Sequence, residues 1–119
     1  MNLQQLVNAL RSGDLDLFDY IDQLEDVFAA REPGVLAFVA EDGRFERLRA
    51  EAQGLLDAYE EPAERPLLFG LPIGVKDIFQ TEGFATRAGS NLPPEILQGP
   101  EAPSVTALKI RPRMPLPHM

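Results

Sequence analysis

Residues 70–77 constrain the fold of this chain more than any other part of the sequence. They read Gly-Leu-Pro-Ile-Gly-Val-Lys-Asp, an apolar, glycine-punctuated run that predicts a short buried strand. Successive side chains of a strand point to opposite faces, so Gly74 and Lys76 share one face while Asp77 points away from the lysine. Burying an ammonium ion is costly because the ion loses its hydration. A buried Lys76 therefore serves either as a neutral proton-transfer group or as one half of a structural ion pair.

Composition excludes several classes of function. A chain of 119 residues is one small domain or a piece of a larger one, and its net charge of −8 argues against binding to nucleic acid. The absence of cysteine excludes disulfides, thiolate catalysis and thiolate metal sites. The one histidine, His118, cannot assemble a metal site or a Ser-His-Asp triad by itself. We therefore expect no metal and no cofactor.

The sequence shows no targeting or membrane signal. The first ten residues lack a basic start followed by an apolar core, so no signal peptide is predicted. No apolar run approaches the roughly 20 residues needed to cross a bilayer. The expected location is the cytoplasm, with no membrane partner.

Apolar residues recur at helical spacing in three stretches before residue 60. The first stretch ends at residues 12–14, where Asp14 is the predicted N-cap of the second helix. The second ends at residues 32–34, since a proline cannot continue a helix. The third is predicted at about residues 44–59. Between the last two, residues 35–39 are predicted to be a strand or another extended stretch.

The segment around Lys76 belongs to a longer pattern. Residues 70–77 are followed by Thr-Glu-Gly at 81–83, by Thr-Arg-Ala-Gly-Ser at 86–90 and by a helix-like stretch at 101–109. Together these segments resemble the amidase signature family, and the resemblance is best from Pro66 to Lys109. It implies an α/β fold in which N-terminal helices lead into the first strand and helix of a mixed sheet that is incomplete in this chain.

The expected domain organisation follows from the same resemblance. Residues 1–65 form an N-terminal helical region, residues 66–109 begin the amidase-signature core, and residues 110–119 are an aberrant or disordered tail. Three prolines within the tail forbid both a helix and a central strand. We expect the tail to be out of frame or truncated, the alternative being a genuine short protein with a disordered C-terminus.

The resemblance also assigns roles to side chains. Lys76 corresponds to the lysine of a Ser/cis-Ser/Lys triad, acting as general base and then general acid through a hydroxyl relay. The two serines of the family come from a later glycine- and serine-rich segment that nothing in this chain matches. Ser90 and Asn91 are instead predicted to form a turn that caps backbone groups, and Asp77 to hold nearby loop amides.

Three functions are compatible with these observations. The leading one is a fragment of an amidase-signature hydrolase that cleaves carboxamide C–N bonds, inactive alone because both serines are missing. The alternatives are a non-catalytic binding or assembly module and a fragment of the glutaminase subunit of a tRNA-dependent amidotransferase. The full-length parent would bind a small-molecule amide and no nucleic acid. Exposed core surface could lead this chain to self-associate.

Overall fold

The structure, a computed structural model, describes residues 1–109, and every regular element within them is helical. The α-helices are α1 (Leu3–Ser12), α2 (Leu17–Val35), α3 (Arg44–Ala58) and α4 (Pro103–Leu108), with short 3-10 helices at Pro62–Glu64 and Pro94–Leu97. The described residues form two compact units, Met1–Leu71 with α1 to α3 and Pro72–Lys109 with α4. Within the described residues, no helix combines the length and the apolar character that crossing a membrane requires.

The predicted α/β fold is wrong for the part of the chain that the structure describes. Residues 1–109 contain no β-strand, and the predicted strand at 70–77 has no regular secondary structure over residues 71–76. A strand is stabilised by hydrogen bonds to a neighbouring strand, and none is present within these residues. Without that neighbour the side chains of Ile73 and Val75 stay 42% and 43% exposed. The prediction for the tail, residues 110–119, lies outside the described residues.

Helix α1 ends where its sequence predicts, and a capping box marks its start. The side chain of Asn2 accepts a hydrogen bond from the backbone N–H of Gln5 at 2.9 Å, and the Gln5 side chain accepts one from the backbone N–H of Asn2 at 2.9 Å. This reciprocal pair satisfies two N–H groups that the first turn of a helix leaves free. Gly13, with a φ of 86°, ends the helix and donates to the carbonyl of Ala9.

The predicted N-cap of α2, Asp14, is wrong. Its N-cap is Asp16, whose carboxylate accepts from the backbone N–H of Asp19 at 3.1 Å, and not Asp14. The backbone N–H of Asp14 instead donates to the Ser12 hydroxyl at 3.2 Å. Both aspartates are suitable cap residues, so the local sequence alone does not separate them.

The C-terminus of α2 lies two residues beyond Pro33, although residues 32–34 were predicted to end it. The helix stops at Leu36, whose φ of 49° is left-handed. The carboxylate of Glu32 accepts from the backbone N–H groups of Ala37 and Phe38 at 2.7 and 2.9 Å. These bonds satisfy the two backbone amides that follow the C-cap residue Leu36.

Helix α3 confirms the third predicted helix, and the three helices share one core. Tyr59 and Phe69 meet edge to face in this core, with ring centroids 6.1 Å apart. Gly70, with a φ of 75°, passes so close to Leu17 that a Cβ atom there would lie 2.9 Å from the leucine. The buried members of the core are Leu10, Leu17, Ile21, Ala52, Tyr59 and Phe69.

Arg65, which follows α3 in the chain, joins the C-terminal ends of α1 and α3. Its guanidinium donates to the carbonyls of Tyr59 at 3.1 Å and Arg11 at 3.3 Å, and it stacks over the Phe69 ring at 4.5 Å. The last carbonyls of a helix lack partners within the helix and carry partial negative charge. A planar cation with several donors satisfies both ends at once.

Candidate functional site

Lys76 lies in the unit Pro72–Lys109 with its side chain exposed, so the predicted burial is wrong. Among residues 1–109 its ammonium group has no hydrogen-bond or ion-pair partner, so these residues offer no support for a structural ion pair. Its carbonyl accepts from the backbone N–H groups of Ile78 at 2.8 Å and Phe79 at 3.1 Å. The lysine therefore sits at the start of a tight turn.

Asp77 bonds to the loop at residues 86–90 through two of its oxygens. Its carboxylate accepts from the backbone N–H of Arg87 at 3.1 Å, and its carbonyl accepts from the backbone N–H of Ala88 at 2.9 Å. This confirms the prediction that Asp77 holds loop amides. The turn after the lysine and the Gly-Ser loop are thereby fixed to each other.

Ser90 forms the capping turn that its sequence predicts. Its hydroxyl donates to the carbonyl of Arg87 at 2.8 Å and accepts from the backbone N–H of Leu92 at 3.3 Å. Ala88 and Gly89 precede it with φ values of 50° and 70°, which turn the chain back on itself. The hydroxyl is thus engaged by its own loop, as a capping residue and not as a nucleophile.

Gln80 and Thr86 organise this unit, and neither was predicted from the sequence. The Gln80 side chain accepts from the Thr86 hydroxyl at 3.0 Å and donates to the carbonyl of Leu97, while its own carbonyl accepts from the backbone N–H of Ala102 at 2.9 Å. Thr86 is only 7% exposed. Three segments that are distant in sequence therefore meet at one glutamine, and no local pattern signals this.

Glu101 is the most connected acidic side chain of the unit. Its carboxylate accepts from the ammonium of Lys109, from the Thr106 hydroxyl at 2.7 Å and from the backbone N–H of Glu82 at 3.0 Å. These bonds, that of Lys109 foremost, lower the pKa of Glu101 to about 2. The cluster joins the loop near residue 82 to α4.

The reactive group that this site offers is the amine of Lys76, at the start of a turn that Asp77 joins to the loop at residues 86–90. Within residues 1–109 no group of three or more histidine, aspartate or glutamate side chains is placed to hold a metal ion. A neutral lysine amine is a competent base. The class of protein that this pattern resembles is the amidase signature family.

Curated proteins that are similar to this chain carry a more specific name than the family. The chain is similar to the A subunit of glutamyl-tRNA(Gln) amidotransferase from Roseiflexus sp. (strain RS-1), with 32% identity over 109 residues, covering 92% of this chain and 22% of the relative. The corresponding protein from Bacillus velezensis is 33% identical over 90 residues, covering 76% and 18%. That from Oleidesulfovibrio alaskensis is 34% identical over 107 residues, covering 90% and 21%. The homologues of the chain are thus A subunits of this amidotransferase.

The matched part of the chain includes the segment that contains Lys76. This chain spans about a fifth of the length of the curated relatives that it matches. A match over 109 of the 119 residues includes residues 70–77 wherever it begins. No protein-family model matches the chain, and no solved structure matches it at a significant level.

Proposed function

We propose that this chain is the lysine-bearing part of an amidase-signature protein that cleaves carboxamide C–N bonds, and that the protein is the A subunit of an amidotransferase rather than a free-standing amidase. The observation that carries the proposal is the similarity to several such subunits over nine-tenths of the chain, through the segment that contains Lys76. A free-standing amidase was the leading prediction, and the names of the relatives favour the amidotransferase alternative.

The proposed role of Lys76 is proton transfer. As a neutral amine it would take the proton of a serine nucleophile through the hydroxyl of a cis-serine and return it to the departing amine. Covering Lys76 with the remainder of an amidase core would remove the amine from water, which favours its neutral form. Both serines would come from a segment outside these 119 residues.

The proposed partners follow from the same similarity. The substrate would be a small carboxamide, and the word subunit in the names of the relatives points to further polypeptides as partners. We retain the expectation that this acidic part of the protein itself makes no contact with nucleic acid. Handling of aminoacyl-tRNA would place the protein in the cytoplasm.

A non-catalytic assembly module is a second candidate, and exposed apolar surface favours it. Several large apolar side chains of the unit Pro72–Lys109 are exposed, among them Ile78 at 55% and Phe84 at 45%. Such surface is usually covered by a partner. A module would unfold cooperatively and stay soluble alone, whereas a piece of a larger core would melt without cooperativity or aggregate. Calorimetry with light scattering on the purified chain separates the two.

The catalytic proposal is tested in a full-length enzyme. Residues 70–109 of this chain would replace the equivalent stretch of the Bacillus velezensis relative, and glutamine-dependent activity would be measured. We expect an active chimaera that Lys76→Ala inactivates by about 10³-fold or more, since the proton acceptor is lost. Lys109→Ala is the matched control, because it removes the other lysine of the segment, and it should stay active. An active Lys76→Ala enzyme would contradict the proposal.

A further inference from the structure

Backbone hydrogen bonds hold the main chain at Lys76 only through the residues that follow it in the sequence. Residues 72–75 make no backbone hydrogen bond within the described part of the chain. On the other side, the Lys76 carbonyl accepts from the amides of Ile78 and Phe79, and Asp77 follows immediately. The direction in which the lysine side chain leaves the backbone therefore depends on the residues after it.

Asp77 supplies the connection of this turn to the loop at residues 86–90. Its carboxylate receives the Arg87 amide at 3.1 Å and its carbonyl receives the Ala88 amide at 2.9 Å. Both oxygens belong to groups attached to the Asp77 Cα atom, so the two bonds fix the position of that atom and its ψ dihedral relative to the loop. The amides of Ile78 and Phe79 hold the Lys76 carbonyl, which lies on the other side of the peptide between residues 76 and 77. Hydrogen bonds to a carboxylate are stronger than those between neutral groups.

We propose that Asp77 is the positioning residue for Lys76, a role that rests on the proposed function. The lysine amine can transfer a proton only within about 2.6–3.2 Å of its hydroxyl partner. Rotation of the peptide that joins Lys76 to Asp77 would displace the amine at the end of a four-carbon side chain. A misplacement of about 1 Å can cost about 10²-fold in rate. Asp77 prevents that rotation without touching the substrate.

The first experiment measures amide hydrogen exchange in the 119-residue chain. Asp77→Ala should speed exchange at Arg87 and Ala88 by about tenfold or more, since the anchor of the loop is lost. Asp77→Asn keeps an acceptor oxygen and should change exchange by about threefold or less. Glu95→Gln is the matched control, because it removes a carboxylate of the same unit that has no side-chain partner among residues 1–109. Unchanged exchange in Asp77→Ala would overturn the inference.

The second experiment measures steady-state kinetics in the chimaeric full-length enzyme. Asp77→Ala should lower kcat by about 30- to 100-fold with KM within about twofold, and Asp77→Asn should restore kcat to within about threefold. A merely structural role would lower the concentration of active enzyme, which titration of active sites detects, and leave kcat per active site unchanged. That result, or a fully active Asp77→Ala enzyme, would overturn the inference.

A third variant covers the case in which Asp77→Ala does not fold. Asp77→Glu keeps the charge but moves the carboxylate by one methylene, and it should lower kcat by about tenfold. A wild-type kcat in Asp77→Glu would overturn the inference.

The experiments distinguish failure of the proposed function from failure of the positioning role. Activity in Lys76→Ala would contradict the proposed function, whereas an inactive Lys76→Ala beside a fully active Asp77→Ala would contradict only the positioning role.

Discussion

The chain contains two lysines, Lys76 and Lys109, and their surroundings differ. Lys76 is exposed without a partner among residues 1–109, while the ammonium of Lys109 is bonded to Glu101. We expect an amine-reactive acylating reagent to modify Lys76 about three- to tenfold faster, because a hydrogen-bonded amine must first leave its partner. Peptide mass spectrometry at short reaction times measures both rates in one sample.

The control for this comparison is Glu101→Gln. It removes the charged partner of Lys109 and should bring the two rates to within about twofold. Slower modification of Lys76 than of Lys109 in the unaltered chain would show that Lys76 is shielded in solution.

The roles of single residues were predictable where they are local. Asp77 and Ser90 bond to amides and carbonyls within about ten residues in sequence, and the turn chemistry of aspartate, serine and glycine predicted both. Gln80 escaped prediction because its partners include Leu97 and Ala102, which only the folded chain brings to it. A glutamine in a polar loop carries no sequence signal of such a role.

At the scale of the helix, two glycines allow a direct test of the fold of the first unit. Gly54 lies inside α3 with open space around its missing side chain, so Gly54→Ala should stabilise the chain by about 0.5–1 kcal/mol. Gly70→Ala should destabilise it by about 1–3 kcal/mol, because Gly70 has a left-handed φ and a Cβ atom would meet Leu17. Urea unfolding followed by circular dichroism measures both. A stabilising Gly70→Ala would contradict the described packing.

The start of α4 depends on pH through Glu101. Its pKa in the folded chain is about 2, below the ordinary 4.5, because it accepts bonds from Lys109, Thr106 and the Glu82 amide. A lowered pKa means that the carboxylate stabilises the fold fully above about pH 4.5 and loses that contribution as the pH falls through about 2. The Glu82 amide resonance should therefore titrate with a midpoint near 2. Glu101→Gln should abolish this step, and a midpoint near 4.5 would contradict the cluster.

The helices of the first sixty residues could be predicted from the sequence, whereas the strand predicted at residues 70–77 is absent from the described residues. A helix satisfies its hydrogen bonds within its own segment, so the apolar spacing in the first sixty residues sufficed to predict α1, α2 and α3. Their ends were less predictable, as Asp16 and Leu36 show, because adjacent residues can cap equally well. A strand needs a neighbour that its own residues do not encode, and for residues 70–77 none lies within residues 1–109.

At the scale of the whole molecule, the 119-residue chain should hydrolyse no amide when assayed alone. Its three serines are Ser12, Ser90 and Ser104, and none stands in a glycine- and serine-rich segment of the kind that supplies the family's nucleophile. The hydroxyls of Ser12 and Ser90 bond to the carbonyls of their own turns at 3.2 and 2.8 Å. A base without a positioned nucleophile gives little catalysis, since the groups of such a triad act as a unit.

Ammonia release from glutamine and simple carboxamides measures this directly, with the intact Bacillus velezensis amidotransferase as the positive control. Lys76→Ala, purified in the same way, reports any contaminating amidase, because contamination persists in the variant while activity of the chain itself would depend on the lysine. We expect equal background rates from both proteins. Hydrolysis by the homogeneous chain that Lys76→Ala abolishes would mean that one of its three serines reaches the amine, and the assignment of the nucleophile to a segment outside these residues would then be wrong.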